Sequence, residues 1–513
     1  MRDLTCRLVV FLMTCSLPHT LQGQGNMQNA AGPSPPPGGV TQQLEEKLDT
    51  ISDALTATRR QLEQSQQQIQ QLQEEIAQLR NQLTSASVPV EKKTDSQEGN
   101  ANDLRERVEA LEAQVKLHDQ TKVESSSKYP VRVSGLVLLN GFINRGAVDN
   151  IDLPSIAVAS TNGTTGSLGA GMRQTILGVQ GFGPRIAGAR TSAEVNFDFF
   201  GGIPYSNYGT VAGLVRMRTA NVRFEWQRDL LEGGMEAPLI SPLSPASYAM
   251  VAEPAMAWAG NIWTWAPQLR YAHQFEGARE QNVKVEVGLW DSPAAGYNTT
   301  DVLRTPSPGE RANQPGYEAR VSYGAPESQG FQVGLGGYYS RQSYPPLTTS
   351  RGPSYSESND SWAFTTDWRV PFARKFELSG EGYRGRSLGG FGVGVYKDVL
   401  YGTDPISGAP VIRGLNAIGG WTELKAKFTS VLEANASIGL DNGFAGDFHS
   451  VLLPPTASGT QTRARNRMMI ANVIYRPKTY LIFSPEYRRI WTWPITGTRN
   501  TADIFTLSVG YQF

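Results

Sequence analysis

Apart from its arginines, this 513-residue chain holds few side chains that could do chemistry. Of its four histidines, only His273 and His449 lie beyond the N-terminal segments. His273 shares an alternating face with Leu269, Tyr271 and Phe275, and His449 falls in a loop. Neither is accompanied by a serine or carboxylate in a recognisable nucleophile–base constellation, so no enzyme is read here. The glycine-rich run Gly389 to Gly394 lacks the Lys-Ser pair and the following helix that cradle a phosphate. Cys6 and Cys15 both lie in a segment expected to be removed, which leaves no disulfide and no cysteine metal site. No cofactor and no metal are expected. The arginines are another matter. Arg270, Arg320 and Arg369 fall on one phase of a two-residue alternation, and Arg463, Arg465 and Arg467 are expected to share one strand face. Aligned guanidinium groups in a confined aqueous passage attract anions and orient solute dipoles. For any single arginine, pairing with an acid such as Glu194, Asp198, Glu318 or Glu486 is the competing structural role.

The elements that must position these residues are strands. From Tyr129 onward, apolar and polar residues alternate with period two. Val131, Val133, Val137, Leu139 and Ile143 alternate with Arg132, Ser134 and Asn140, and Val283, Val285, Val287 and Leu289 alternate with Lys284 and Glu286. The ending is the clearest: Phe505, Leu507, Val509, Tyr511 and Phe513 interleave with Ile504, Thr506, Ser508, Gly510 and Gln512. Tight turns (Gly183 to Gly188, Gly324 to Gly330, Pro371 to Arg374, Arg476 to Thr479) alternate with long polar connections (Gly146 to Gly169, Asp291 to Pro315, Arg341 to Asn359, Ser387 to Gly419, Asn442 to Thr462). Short turns at one end and long loops at the other define an all-β transmembrane antiparallel β-barrel, which we expect to have about sixteen strands, give or take two. A soluble sandwich or propeller would alternate similarly. Against it, aromatics gather at strand ends (Tyr339, Trp362, Trp368, Tyr475, Tyr487, Trp491, Trp493) and no blade repeat is visible.

An α-helical coiled coil is expected ahead of the barrel. Residues 1–25 read as a secretory signal, with Arg2 and Arg7 before an apolar run from Leu8 to Leu17. Residues 26–40 form a Pro/Gly linker. Across 41–83, Leu48, Leu55, Leu62, Ile69, Ile76 and Leu83 recur every seven residues beside a second series from Leu44 to Leu79. A linker (84–102) and a short helix (103–118) follow. Net charge is +0 and 18% of residues are charged, which gives no basic face for nucleic acid. Mean hydropathy is −0.34 and no run reaches the length of a spanning helix. A barrel passes both tests, because only alternate residues of its strands meet lipid.

From Tyr129 to Phe513 the chain resembles the trimeric bacterial porins. The resemblance rests on Arg216-Met217-Arg218-Thr219-Ala220-Asn221-Val222 leading to Gly233-Gly234, on Ile474-Tyr475-Arg476-Pro477, on Ser484-Pro485-Glu486-Tyr487-Arg488 and on the terminal Phe513. The preceding coiled coil is similar to that of DcaP-type porins, whose helices lie on the periplasmic side of the trimer. The resemblance implies a homotrimer in the outer-membrane lipid, inserted by the outer-membrane assembly machinery, which would read Phe513 and Tyr511. It implies a water-filled channel for passive diffusion of small hydrophilic, anionic solutes. It also implies that a long loop, here 236–268, folds into the lumen. Wall residues Arg190, Arg216, Arg218 and Arg270 (with Arg173 also on the early strands) would then face loop acids Glu236 and Glu253. One conflict arises: if Arg216 and Arg218 face inward, Asn221, Arg223 and Glu225 face outward, unless the strand carries a bulge or faces another subunit. The alternative function is an outer-membrane anchor whose coiled coil binds periplasmic partners or peptidoglycan.

Overall fold

A computed structural model describes residues 129–160, 166–203, 213–277, 281–294, 305–325, 330–344, 347–349, 352–355, 358–457 and 459–513. The expected signal, linkers, coiled coil and short helix lie outside the described residues. No described helix is long and apolar enough to cross a membrane, a test that says nothing of strands.

The strands are β1 (Val131–Arg145), β2 (Gly166–Gly171), β3 (Ile176–Phe182), β4 (Arg190–Asp198), β5 (Arg216–Glu225), β6 (Asp229–Glu236) and β7 (Ala266–Glu276). Next come β8 (Asn282–Trp290), β9 (Gly316–Gly324), β10 (Gln332–Ser343), β11 (Leu347–Thr349), β12 (Gly352–Tyr355), β13 (Ser358–Phe372) and β14 (Phe376–Arg386). The last are β15 (Val399–Thr403), β16 (Pro410–Gly414), β17 (Asn416–Lys427), β18 (Leu432–Gly443), β19 (Arg463–Lys478), β20 (Leu481–Pro494) and β21 (Asn500–Gln512). β11–β12 and β15–β16 are small hairpins within long loops, and the other seventeen form one antiparallel sheet. β1 pairs with β21, which closes the sheet on itself. β2 and β3 each pair with a different half of β1, so together they fill one place in the ring. The barrel therefore has sixteen strand positions, the number expected, and the sandwich and propeller are excluded.

The alternation read from the sequence is the alternation of faces. Leu139, Ile143, Leu269, Val287, Leu335, Phe364 and Leu507 are exposed on the outside, while Asn140, Asn144, Gln268, Glu286, Thr365 and Ser508 are buried within. The long loops leave from the end of β1 that carries Arg145, and the tight turns join strands at the other end.

Two irregularities re-aim side chains. On the β4–β5 pair, Asn196 stands opposite Thr219 but Phe197 opposite Met217, so Arg218 has no partner. This β-bulge resolves the conflict in β5: Arg216 and Arg218 face the lumen on one side of it, and Asn221 and Arg223 on the other. On the β19–β20 pair, register shifts between Arg463 and Arg465. Consequently Arg463, Arg465 and Arg467 do not share a face, contrary to the sequence expectation. Arg463 turns inward beside loop residues, whereas Arg465 and Arg467 are exposed on the outer wall with Val473 and Tyr475.

Candidate functional site

The connection between β6 and β7 runs through the interior of the barrel. Pro238, Pro242, Pro245 and Pro254 forbid a helix or a continuous ladder strand across it. Its backbone groups must therefore find other partners, and the wall supplies them. Glu318 accepts the Leu239 N–H at 2.8 Å, Glu381 the Leu243 N–H at 2.7 Å, and Glu423 the Ala246 N–H at 2.8 Å. Ser241 and Ser247 donate their hydroxyls to Glu381 and Glu486, each at 2.5 Å. Gln174 accepts the Val251 and Ala252 N–H groups. These anchors lie on β9, β14, β17 and β20 and in the gap between β2 and β3, so the loop is held on opposing parts of the wall.

Packing completes the seat. Met250, Met256 and Ala259 are buried against inward-facing Trp421, Met468, Ile470, Ile490 and Ile504. Ile240 and Ile262 are buried with Trp290, Tyr338, Tyr383 and Phe391. Gly260 has φ +103°, and a Cβ there would meet the Gly420 and Leu440 carbonyl oxygens at 2.3 and 2.5 Å. Only glycine fits both that conformation and that approach.

The arginines expected at a constriction divide into three groups. Arg216 and Arg218 do meet the loop. Arg216 forms a bidentate pair with fully buried Asp198, at 3.0 and 2.6 Å, and donates to the Ala252 carbonyl at 2.6 Å. Arg218 reaches Asp198 at 3.4 Å and the Val251 carbonyl at 2.7 Å. The Trp265 ring lies 5.3 and 4.7 Å from these two guanidiniums. Arg270 belongs to a second cluster. It pairs with Glu232 at 2.6 Å, Glu232 also accepts from Arg223 at 2.6 Å, and Glu236 accepts from Asn221 at 2.5 Å. Glu236 is the last residue of β6 and faces this wall cluster.

Arg190 belongs to neither cluster. It opens β4 at the tight-turn end, is exposed, and pairs with Glu225 at 3.2 Å. Eight residues of extended strand, roughly 26 Å, separate it from Asp198. Arg173 lies between β2 and β3, pairs with Asp152 at 2.7 Å and stacks 4.2 Å from the Phe200 ring. Arg320 is buried between Glu286 and Asp367, and Arg369 stands 4.0 Å from Glu377.

Glu253 sits on the loop and accepts from the Trp258 indole N–H at 2.7 Å. It lines a cavity of about 250 Å³ with Asp149, Ser155, Tyr396, Thr460 and Arg463. Burial pushes its carboxyl up to about 7, against the Trp258 bond. Burial likewise raises Asp149, which accepts the Ser155 and Ile156 N–H groups. Sequence reading missed the glutamate anchors: Glu318 was read as a partner of arginine, Glu486 does pair with Arg488 at 2.8 Å but also holds the loop, and Glu381 and Glu423 were not singled out. Phe513 and Tyr511 are half exposed on the outer wall, and Phe513 closes the last ladder rung, its N–H and carbonyl each 3.0 Å from Gly135.

A closed sixteen-position barrel with a long loop seated in its lumen is the fold of an outer-membrane channel. The outer membrane channel DcaP of Acinetobacter baumannii has this fold: it matches 75% of this chain and 99% of its own length with a TM-score of 0.55 at 14% identity. An anion-selective porin from Comamonas acidovorans matches with a TM-score of 0.46 at 11% identity, covering 75% of this chain and 100% of that one. OmpF of Salmonella typhi matches with a TM-score of 0.44 at 10% identity over 75% of this chain and 98% of that one. No protein-family model matches the chain, and no curated protein matches it.

Proposed function

We propose that this protein is a homotrimeric outer-membrane porin, a water-filled channel for passive diffusion of small hydrophilic solutes with a weak preference for anions. The observation that carries the reading is the loop between β6 and β7, anchored inside a closed barrel by four glutamates on four separate strands. Such a loop narrows the passage without blocking assembly of the wall, and a confined aqueous passage is where a few charges govern permeation. Arg216, Arg218 and Arg270 are the arginines placed to act, each partly exposed and each sharing its acid with another arginine. Arg190 sits too near the tight-turn end to take part. In this reading the coiled coil lies in the periplasm, and the outer-membrane assembly machinery recognises Phe513.

An anchor with a closed barrel receives less support, because an anchor needs no elaborately held loop in its lumen. Planar-bilayer recording of the purified protein separates the two. Three-step conductance, with a reversal potential in a salt gradient that favours anions, is expected. Absence of conductance in well-folded protein would favour the anchor.

A further inference from the structure

The cavity that Glu253 lines brings together charges of both signs. Asp149 comes from the loop after β1, Glu253 from the loop between β6 and β7, and Arg463 from the first position of β19. Among the described residues, neither Asp149 nor Glu253 forms an ion pair with a base, and Arg463 forms none with an acid. Opposite charges at one crowded place ordinarily close into a pair, because burying them singly is costly. Here each is held back by its own partners. One carboxylate oxygen of Asp149 accepts both the Ser155 and the Ile156 N–H, each at 3.0 Å. Glu253 is tied to the Trp258 indole. The approach to β19 is fixed by buried Lys397, whose ammonium donates to the Thr460 carbonyl at 2.7 Å and to the Arg463 carbonyl.

The rest of the cavity is equally well built. Asn466, facing inward on β19, donates to the Ser155 and Trp258 carbonyls at 3.0 and 2.9 Å and so joins the first loop to the lumen loop. The Ser155 residue is 1% exposed, and its hydroxyl has no hydrogen-bond partner among the described residues although it lines the cavity. The Trp258 and Tyr396 rings meet edge to face with centroids 4.2 Å apart. Asp149 stands deep among the long loops yet remains open to solvent, so a solute can reach the cavity. The volume, about 250 Å³, falls below the roughly 300–1,000 Å³ of pockets for drug-sized ligands and suits a molecule the size of an amino acid.

We propose that this cavity binds small zwitterionic solutes, molecules of α-amino-acid size that carry one ammonium and one carboxylate. Arg463 takes the carboxylate through its guanidinium fork, Asp149 and Glu253 take the ammonium, and the Ser155 hydroxyl supplies a further hydrogen bond. The Trp258 ring beside Glu253 adds the attraction of an aromatic face for a cation. A simple anion would meet two carboxylates, and a simple cation would meet Arg463. A solute with both charges answers each of them, and the groups need not move to receive it. In the channel reading, on which this inference rests, the long-loop end is the mouth where solutes enter, and the cavity gathers one class of them there.

The test is saturation-transfer NMR on the purified full chain in detergent at about pH 8, above the value of about 7 to which burial raises Glu253. The probes are L-alanine, propionate, which lacks the ammonium, and ethylamine, which lacks the carboxylate. The wild type is expected to hold alanine at least roughly tenfold more tightly than either, the factor that one charge-assisted hydrogen bond commands. Asp149→Asn combined with Glu253→Gln keeps the acceptor oxygens and removes the charges, and should hold propionate as well as alanine. Arg463→Gln should hold ethylamine as well as alanine. A purely structural role for these residues gives no such exchange of preference, and either variant shows it if the other does not fold. Equal retention of the three probes by the wild type would overturn the proposal, as would an alanine preference that survives in both variants. Binding by a barrel that conducts nothing would uphold the cavity and refute the channel; conductance without binding would do the reverse.

Discussion

At the scale of single residues, the seated loop turns on charges whose partners are already spoken for. Asp198 is fully buried and held by two nitrogens of Arg216. Arg216→Ala leaves that carboxylate only Arg218, 3.4 Å away, and the Phe200 N–H, so the cost should fall below the roughly 3–5 kcal/mol of a buried charge left with no partner. Arg216→Lys keeps the charge but loses the fork, and should fall between wild type and alanine in thermal unfolding of the purified barrel. Removing both partners together, with Asp198→Ala added, should restore much of the loss; a double variant no better than Arg216→Ala would show that the pair does not act as one unit. Glu253 supplies the pH dependence. Its folded-state value of about 7 lies above its ordinary 4.5, so the folded protein holds the proton more tightly than the unfolded chain does. The carboxyl costs nothing below about pH 4.5, and its penalty grows as pH rises through about 7. Over the same window the loop gains a negative charge near Arg216. The proposed anion preference should therefore weaken between about pH 5 and about pH 9, and Glu253→Gln should abolish the change. An undiminished change in that variant would transfer the titration to Asp149, which faces the same cavity.

At the scale of elements, the strands were legible and the loop's fastening was not. Period-two alternation places Leu139 outside and Asn140 inside without reference to anything distant. The proline spacing in 236–268 likewise announces a segment that can be neither helix nor strand. Nothing local distinguishes Glu381, which receives a loop N–H from 138 residues earlier in the chain, from a glutamate that faces water. The same limit applies to Arg465 and Arg467. Their outward phase depends on one irregular step after Arg463, and strict alternation cannot see it. The bulge at Arg218 was visible only as a contradiction between the two ends of β5. Because Glu381 holds both the Ser241 hydroxyl and the Leu243 N–H, Glu381→Leu should leave the buried Leu243 N–H unpaired, at about 1–3 kcal/mol, and leave the Ser241 hydroxyl to the Ile262 carbonyl 2.7 Å away. The expected readout is a larger and noisier unit conductance in an intact barrel. Conductance like that of the wild type would mean that the remaining anchors suffice.

At the scale of the whole molecule, closure through β1 and β21 makes every spanning strand an interior one. A barrel that satisfies its own ladder does not depend on the segment ahead of it, so a chain lacking residues 41–83 should still fold in detergent and conduct. Failure to assemble would assign that segment a nucleating role. The intact protein is expected to scatter light as a trimer, and a monomer in mild detergent would count against threefold association. Removing Phe513 takes away one rung and one half-exposed ring. That is worth on the order of a few kcal/mol in a large barrel. Loss of assembled protein in cells should greatly exceed the loss of thermal stability in vitro, and equal losses would remove the case for a recognition signal.

The loop between β6 and β7 also constrains the order of events in folding. It touches Gln174, 77 residues before Val251, and Glu486, 239 residues after Ser247. Its seat does not exist until both ends of the chain have arrived. Once β1 meets β21, the loop has no way in except through the mouth. Seating of the loop therefore waits on the closing strands. Contacts of such wide sequence separation form slowly. Loosening one glutamate anchor should then slow the seating of the loop as well as loosen the finished passage.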